Sequence, residues 1–433
     1  MMISNLQLLC IILLIELLFN LWLFKGDLLA PSIIFCFMFL VAAIDLLFMI
    51  DYWAISLGKL TVIVVGSGVF AFSLGSLLAK RNNIKFVFRK GKRKYDKILK
   101  VEISNLSLDL WIVLAFLTIV IYIVNNLKVI GISFSLGNIL MTYVMNSNQL
   151  ENDTTPFYIS ILSLMVTSLS YIGAYLFAVN RILYKEKNIR YVLGILVSCI
   201  YFFLCTKRGN FIMYIVSLLY LILLVANNGK NIKITRKVYI VTVILGGILI
   251  AAFPTLGTLF GRTTVVTNSF EYISIYLGAP LLNLDYALKH GGVSNNLPLA
   301  YTFRMFYDFL YRYTGNSDYY IESPNEFIYA NRHTTGNVYT TFSDFYYDGQ
   351  VFAVIGMTFV MAYITQSMYT KIKKDNVKNS IFYYVLYSYI YGLIFRSFFA
   401  NSFYAAIQPS IIEIIIIWWF FAYFIKKIRL KEL

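Results

Sequence analysis

Charge is what this sequence has least of. Only 13% of its 433 residues are Asp, Glu, Lys or Arg, while 59% are hydrophobic. A soluble domain carries about a quarter charged residues, so an ordinary water-soluble fold is excluded and the bilayer is the expected solvent. Cysteine is nearly as scarce. Cys10, Cys36, Cys199 and Cys205 all lie in apolar runs, none with a His or Cys at metal-site spacing, and they read as small lipid-facing or core residues. There is no Walker loop, dinucleotide fingerprint or Gly-x-Ser-x-Gly elbow, which argues against ATP-driven or NAD-linked chemistry. Internal repeats and low-complexity linkers are also missing.

What is present is a series of apolar runs about 17 to 25 residues long, the length a helix needs to cross some 30 Å of hydrocarbon. They fall near 4–24, 28–50, 57–79, 108–125, 157–179, 191–206, 211–226, 238–260, 351–370, 380–400 and 405–425. The fold class expected is an all-α polytopic membrane protein of about eleven transmembrane helices. Residues 1–260 would supply helices 1 to 8, 261–350 one large extracytoplasmic loop, and 351–433 the last three helices and a cytoplasmic C-terminus. The first run has no basic segment before it and no small-residue cleavage pattern after it, so it reads as a retained span.

The net charge of +16 mainly reports orientation rather than nucleic-acid binding. Lys80 to Lys100 holds ten Lys and Arg against the single acid Asp96, which assigns that loop to the cytoplasm. Counting spans from there makes 180–190, 227–237, 371–379 and the C-terminus cytoplasmic, each with four basic residues, and puts the N-terminus outside.

Ten basic residues remain outside or within spans, among them Lys207, Arg208, Arg262, Arg304, Arg312, Arg332 and Arg396. Arg208, beside Gly209 in the polar break Thr206 to Asn210, suits a lipid-linked phosphate because guanidinium pairs bidentately with phosphoryl oxygens. A tight turn whose cations snorkel to headgroups is the plain alternative, for Lys207 and Arg262 as well. Arg396 lies within an apolar run, where an ionisable side chain is costly; it is either functional or paired with Glu413. Arg304, Asp308 and Arg312 share one helix face, as a site or as a solvated ion-pair ladder. Tyr272 to Leu288, weakly apolar and holding Pro280 and Asp285, reads as an interfacial or re-entrant helix.

The two histidines, His290 and His333, both fall in the 261–350 segment. His333 leads back toward the membrane through Asn337 and could serve as a general base, with Asp344 and Asp348 as alternatives. Glu151-Asn152-Asp153 is the one acidic triplet of a kind that could hold a divalent ion, and such triplets are common in loops. The many tyrosines of the segment, Tyr339 among them, suit sugar faces and suit packing on a membrane equally well.

The layout, the turn Cys205 to Asn210, and the stretch Thr335-Gly336-Asn337-Val338-Tyr339-Thr340-Thr341 continuing through Asp344, Asp348 and Gly349 resemble the Wzy-type O-antigen and capsule repeat-unit polymerases. These are relatives of the O-antigen ligases in the GT-C class of membrane glycosyltransferases. The resemblance implies transfer of a growing chain from undecaprenyl pyrophosphate to the non-reducing sugar of another lipid-linked repeat unit, at the outer face of a bacterial cytoplasmic membrane. It implies no cofactor, nucleotide sugar, obligatory metal or nucleic acid. Membrane lipids, a chain-length regulator and a repeat-unit flippase are the further partners it suggests. His333, Arg208, Arg304 and Asp348 are then the expected catalytic residues. Arg262, Arg312, Arg332, Arg396, Asn337, Tyr339 and Lys207 are the expected substrate contacts. One departure stands out: related ligases place a His-Asn pair just before re-entry, whereas Asn337 follows His333 by four residues. A ligase shares this inventory, and a flippase or other transporter, or an envelope scaffold, is the alternative outside enzymes.

Overall fold

The computed structural model describes residues 4–87, 98, 100–130, 156–206, 208–228, 232–259, 269–290, 295–373 and 380–431, with the side chains of 83–87, 129–130, 208, 232–234, 249–250, 253, 256–259 and 425–431 left aside. In chain order the helices are α1 (Asn5–Leu23), α2 (Pro31–Phe48), α3 (Lys59–Val87), α4 (Asn105–Ile130), α5 (Phe157–Leu176), α6 (Arg190–Cys205), α7 (Arg208–Asn228) and α8 (Ile232–Leu259). They continue with α9 (Ser269–Leu277), α10 (Ala279–His290) and α11 (Arg304–Thr314), then α12 (Thr341–Lys373), α13 (Ile381–Phe395), α14 (Ser402–Ala405) and α15 (Pro409–Lys431). Among the described residues a single hairpin, β1 (Ile328–Ala330) with β2 (His333–Gly336), interrupts this helical chain.

The protein is an all-α membrane-embedded chain. Among the described residues seven helices are long and apolar enough to cross a bilayer: α1, α2, α3, α4, α5 with its continuation to Leu183, α7 and α12. Shorter apolar helices occupy Arg190–Cys205 and Pro409–Phe424.

The chain forms two compact units. The first contains Met1–Arg93, Val266–Lys374 and Leu393–Ile411, so that most of the 261–350 segment shares a unit with α1 to α3. Ser4 opens α1 with a capping box: its Oγ accepts from the Gln7 amide and its own amide donates to Gln7 Oε1. The core of the unit is α12 laid along α3. Gly75 permits their close approach, since a Cβ there would stand 2.5 Å from the Phe359 carbonyl oxygen. Phe342 stacks on Phe39 at 4.8 Å between ring centroids, and Phe35 on Phe72 at 4.1 Å. In hydrocarbon no water is released when such faces meet, so close van der Waals packing and ring geometry hold the unit, rather than transfer of apolar surface from water.

The two ends of this unit differ. At one end Lys373 pairs with Asp27, Tyr369 donates to Asp27 at 2.8 Å, and Lys80 Nζ donates to the Leu23 carbonyl at 2.9 Å. At the N-terminal end of α3, Asp285 of α10 accepts from the Gly58 amide (2.6 Å) and from Thr61 Oγ1, and pairs with Lys289 at 2.5 Å. Nineteen residues separate Thr61 from Lys80 along α3, a rise of roughly 30 Å. The sequence pattern expects α9 and α10 as one interfacial piece. They are instead two short helices packed on α2, with α10 also touching α3 and α12. The break at Gly278 has a packing reason: a Cβ there would meet Asp45 Oδ2 at 2.6 Å and the Leu46 amide at 3.0 Å.

α12 begins ten residues earlier than its apolar run and bends at Gly349–Gln350, where Gln350 adopts φ 52°, ψ −146°. A non-glycine residue in that region costs about 1–3 kcal/mol and persists only when its surroundings fix it.

The second unit contains Lys94–Val265, Asp375–Gly392 and Ile412–Leu433. Trp111 of α4 fills the space that glycines leave on α5 and α6, for a Cβ at Gly173 or Gly194 would come within 2.2 Å of its ring. Beyond Leu176, α5 winds into a π-helical stretch, Phe177–Leu183. There Asn180 accepts from the Val101 amide (3.1 Å) and donates to the Val101 carbonyl (2.6 Å) and the Tyr191 hydroxyl (2.7 Å). Tyr171, Phe202, Tyr214 and Trp418 form an aromatic cluster, and Trp418 Nε1 donates to the Ser168 carbonyl.

Candidate functional site

The hairpin sets the site. Asn331 and Arg332 have φ of 47° and 67°, the two positive values that a two-residue type I′ turn demands, and Ala330 pairs with His333 directly across it. Arg332, an exposed non-glycine, is therefore held in a conformation that only the turn requires. The next residues are bolted down by α10. Asn283 Nδ2 donates to the carbonyls of Thr335, Gly336 and Val338, and Thr335 Oγ1 donates to Asn283 Oδ1 at 2.8 Å. Thr335–Val338 is thus a fixed arm.

His333 projects from this arm toward α9. Its Nδ1 lies 2.8 Å from Glu271 Oε1; the imidazole is one-third exposed and the carboxylate is 3% exposed. The other carboxylate oxygen, Oε2, accepts from the Tyr52 hydroxyl at 3.2 Å. The rings of Tyr52 and His333 are 4.4 Å apart, and Asn331 Nδ2 donates to the Tyr52 carbonyl at 3.0 Å. Burial, then the negative charge of Glu271 and the hydrogen bond to it, raise the Tyr52 phenol, which keeps it a donor. His290 has different surroundings: it stacks on Tyr286 at 3.9 Å on the exposed end of α10, one turn from that residue.

A second cluster joins residues 299–304 to the start of α12. Asp348 accepts from the amides of Tyr301 (2.9 Å) and Thr302 (2.7 Å), one per carboxylate oxygen. Asn401 donates to the Thr302 carbonyl at 3.0 Å and also bonds Asp344, whose carboxylate feels the charge of Arg304. Burial and then the Asp348 charge push the Tyr301 phenol up.

The sequence-predicted residues divide accordingly. His333 and Arg304 both fall in the first unit, His333 against Glu271 and Arg304 within electrostatic reach of Asp344. Asp348, expected as catalytic, has both oxygens occupied by backbone amides and fastens a loop. Tyr339, expected as a substrate contact, is buried; its hydroxyl donates to the Glu326 carbonyl, and burial pushes it up to about 12. Within the helix-face trio, Asp308 pairs with Arg312 at 3.2 Å. Asn337 is exposed, directly after Gly336. Arg396, half-buried, opens a 3-10 turn after α13 and belongs to the first unit, whereas Glu413 belongs to the second. Arg208 is the first residue of α7, and its side chain lies outside the described ones. Lys207, Arg262 and Glu151-Asn152-Asp153 also lie outside the described residues. Among the described residues no three His, Cys, Asp or Glu side chains gather in a way that could hold a metal ion.

Sequence reasoning missed Glu271 and Tyr52. An acid at the head of a weakly apolar piece was a usable signal for Glu271, but its partner is 62 positions away and only the fold brings them together. The comparisons supply no family: no family model, no curated protein and no solved structure matches the chain.

Proposed function

We propose that this protein is a membrane glycosyltransferase that polymerises undecaprenyl-pyrophosphate-linked oligosaccharide repeat units into O-antigen or capsular polysaccharide. It works on the outer face of a bacterial cytoplasmic membrane, with about eleven spans, the N-terminus outside and the C-terminus in the cytoplasm. The observation that supports this reading is the polarity of the first unit. Lys80 and Lys373 mark one end, as the positive-inside rule expects of a cytoplasmic face, and His333 stands near the other end of α3, roughly a bilayer's thickness away.

In this reaction His333 Nε2 takes the proton of the acceptor hydroxyl, and the oxygen attacks the anomeric carbon of the donor. The bond from that carbon to the pyrophosphate oxygen breaks, and the pyrophosphate leaves with the electron pair. Arg304, Arg312 and Arg332 supply positive charge on the same unit for the departing anion, the class of interaction that contributes most to such transition states. Lys207, Arg208, Arg262, Arg396 and Asn337 enter the proposal through the resemblance alone.

The test is to substitute His333 or Arg304 by Ala in the producing cell and display the envelope polysaccharide on a gel. His333→Ala is expected to slow polymerisation by about 10²–10⁴-fold, leaving a single capped repeat in place of the ladder. Full-length ladders from both variants would refute the site. Polymer that accumulates on its carrier lipid would favour a ligase instead.

A further inference from the structure

We propose that Glu271 is the positioning residue of His333, and that the two form a carboxylate–imidazole pair whose proton sits on Nδ1. This rests on the polymerase reading for its kinetic consequence but not for its structural one. A carboxylate has only acceptors, so a 2.8 Å contact between Oε1 and Nδ1 requires the proton to be carried by the ring nitrogen. In the neutral ring Nε2 is then the bare nitrogen, the one able to accept a proton.

Three features hold the pair in register. Glu271 is buried on α9, and its second oxygen is engaged by the Tyr52 hydroxyl, so the carboxylate cannot swing. Asn331 ties the hairpin turn to the Tyr52 carbonyl. Asn283 fixes the strand that carries His333. A buried carboxylate is costly to keep, and placing it against the one-third exposed imidazole gives that cost a purpose. When Nε2 takes a proton from an acceptor hydroxyl, the Nδ1 proton stays where it is, and the positive charge of the ring is shared with Glu271. No other group need gain or lose a proton.

The chain has only two histidines, which makes the pair directly observable. Protein labelled with ¹⁵N in histidine and carrying His290→Gln, purified in detergent, presents one imidazole to nitrogen NMR. The expected spectrum shows Nδ1 protonated and Nε2 bare in the neutral ring, and Glu271→Gln shifts the tautomer balance toward Nε2–H. A bare Nδ1 in the protein that retains Glu271 would overturn the proposal whatever the activity. With a lipid-linked repeat unit as probe, Glu271→Gln is expected to lower kcat by roughly 10- to 100-fold with KM unchanged, and Glu271→Asp to recover part of it. The double variant Glu271→Gln/His333→Ala should be no slower than His333→Ala, because residues acting as a unit are not additive. Multiplicative losses would overturn the pairing. If the unsubstituted protein fails to extend the probe, the polymerase reading falls and the NMR result alone decides the pair.

Discussion

The two units keep their polar interiors in different ways. Every buried carboxylate among the described residues, Glu16, Asp45, Glu271 and Asp285, lies in the first unit. The buried polar side chains of the second are neutral: Thr118, Asn126, Ser168, Ser170, Asn180, Ser198, Ser217, Asn228 and Ser388. Neutral groups satisfy backbone and hydroxyl partners at modest cost, whereas a carboxylate withdrawn from water costs several kcal/mol before its partners offset it. The comparison teaches that buried carboxylates gather in one unit, Asp45, Glu271 and Asp285 where α9 and α10 pack on α2 and α3 and Glu16 on α1, while the other unit fills its interior with neutral polar groups.

Three substitutions can break or sharpen that contrast. The largest effect is expected from Asn180→Leu in the second unit. It leaves the buried amide and carbonyl of Val101 without their partner and should cost about 3 kcal/mol, read as a lower melting temperature of the purified protein. Polymer made per folded molecule should stay unchanged, because Asn180 has no part in the proposed reaction; its collapse with the fold intact would give Asn180 a role beyond holding Val101. Next comes Gly278→Ala in the first unit. The added methyl would press on Asp45 Oδ2 at 2.6 Å and on the Leu46 amide, a clash expected to destabilise by about 1–3 kcal/mol. The smallest is Gly246→Ala in α8, where the methyl would meet nothing within 4 Å. Removing a glycine from a helix interior there should stabilise by about 0.5–1 kcal/mol. Equal melting shifts for Gly278→Ala and Gly246→Ala would show that the close approach at α2 is not required.

Much of the frame was legible in the residues. Each apolar run falls on a helix because helices satisfy their own backbone groups in lipid, although seven helices meet the length and composition needed for crossing. Boundaries moved where polarity and helicity part company. α3 continues past residue 79 to Val87 in basic sequence, and α12 starts at Thr341, within the motif, before its apolar run begins. His333 could be singled out as one of two histidines, the one nearer the apolar run at 351–370. Glu271, Tyr52 and the Asp348 clamp were not, since each is defined by a contact across 46 or more positions that no local pattern encodes.

The π-helical stretch after α5 has a consequence for chain length itself. It holds one residue more per turn than α-helical bonding needs, so it behaves as an insertion accommodated without a loop. Each α-helical residue turns the chain by about 100°. Deleting Ala178 or Val179 would swing Asn180 away from Val101 and Tyr191. The seam marks where this protein keeps a residue for its direction rather than for the helix.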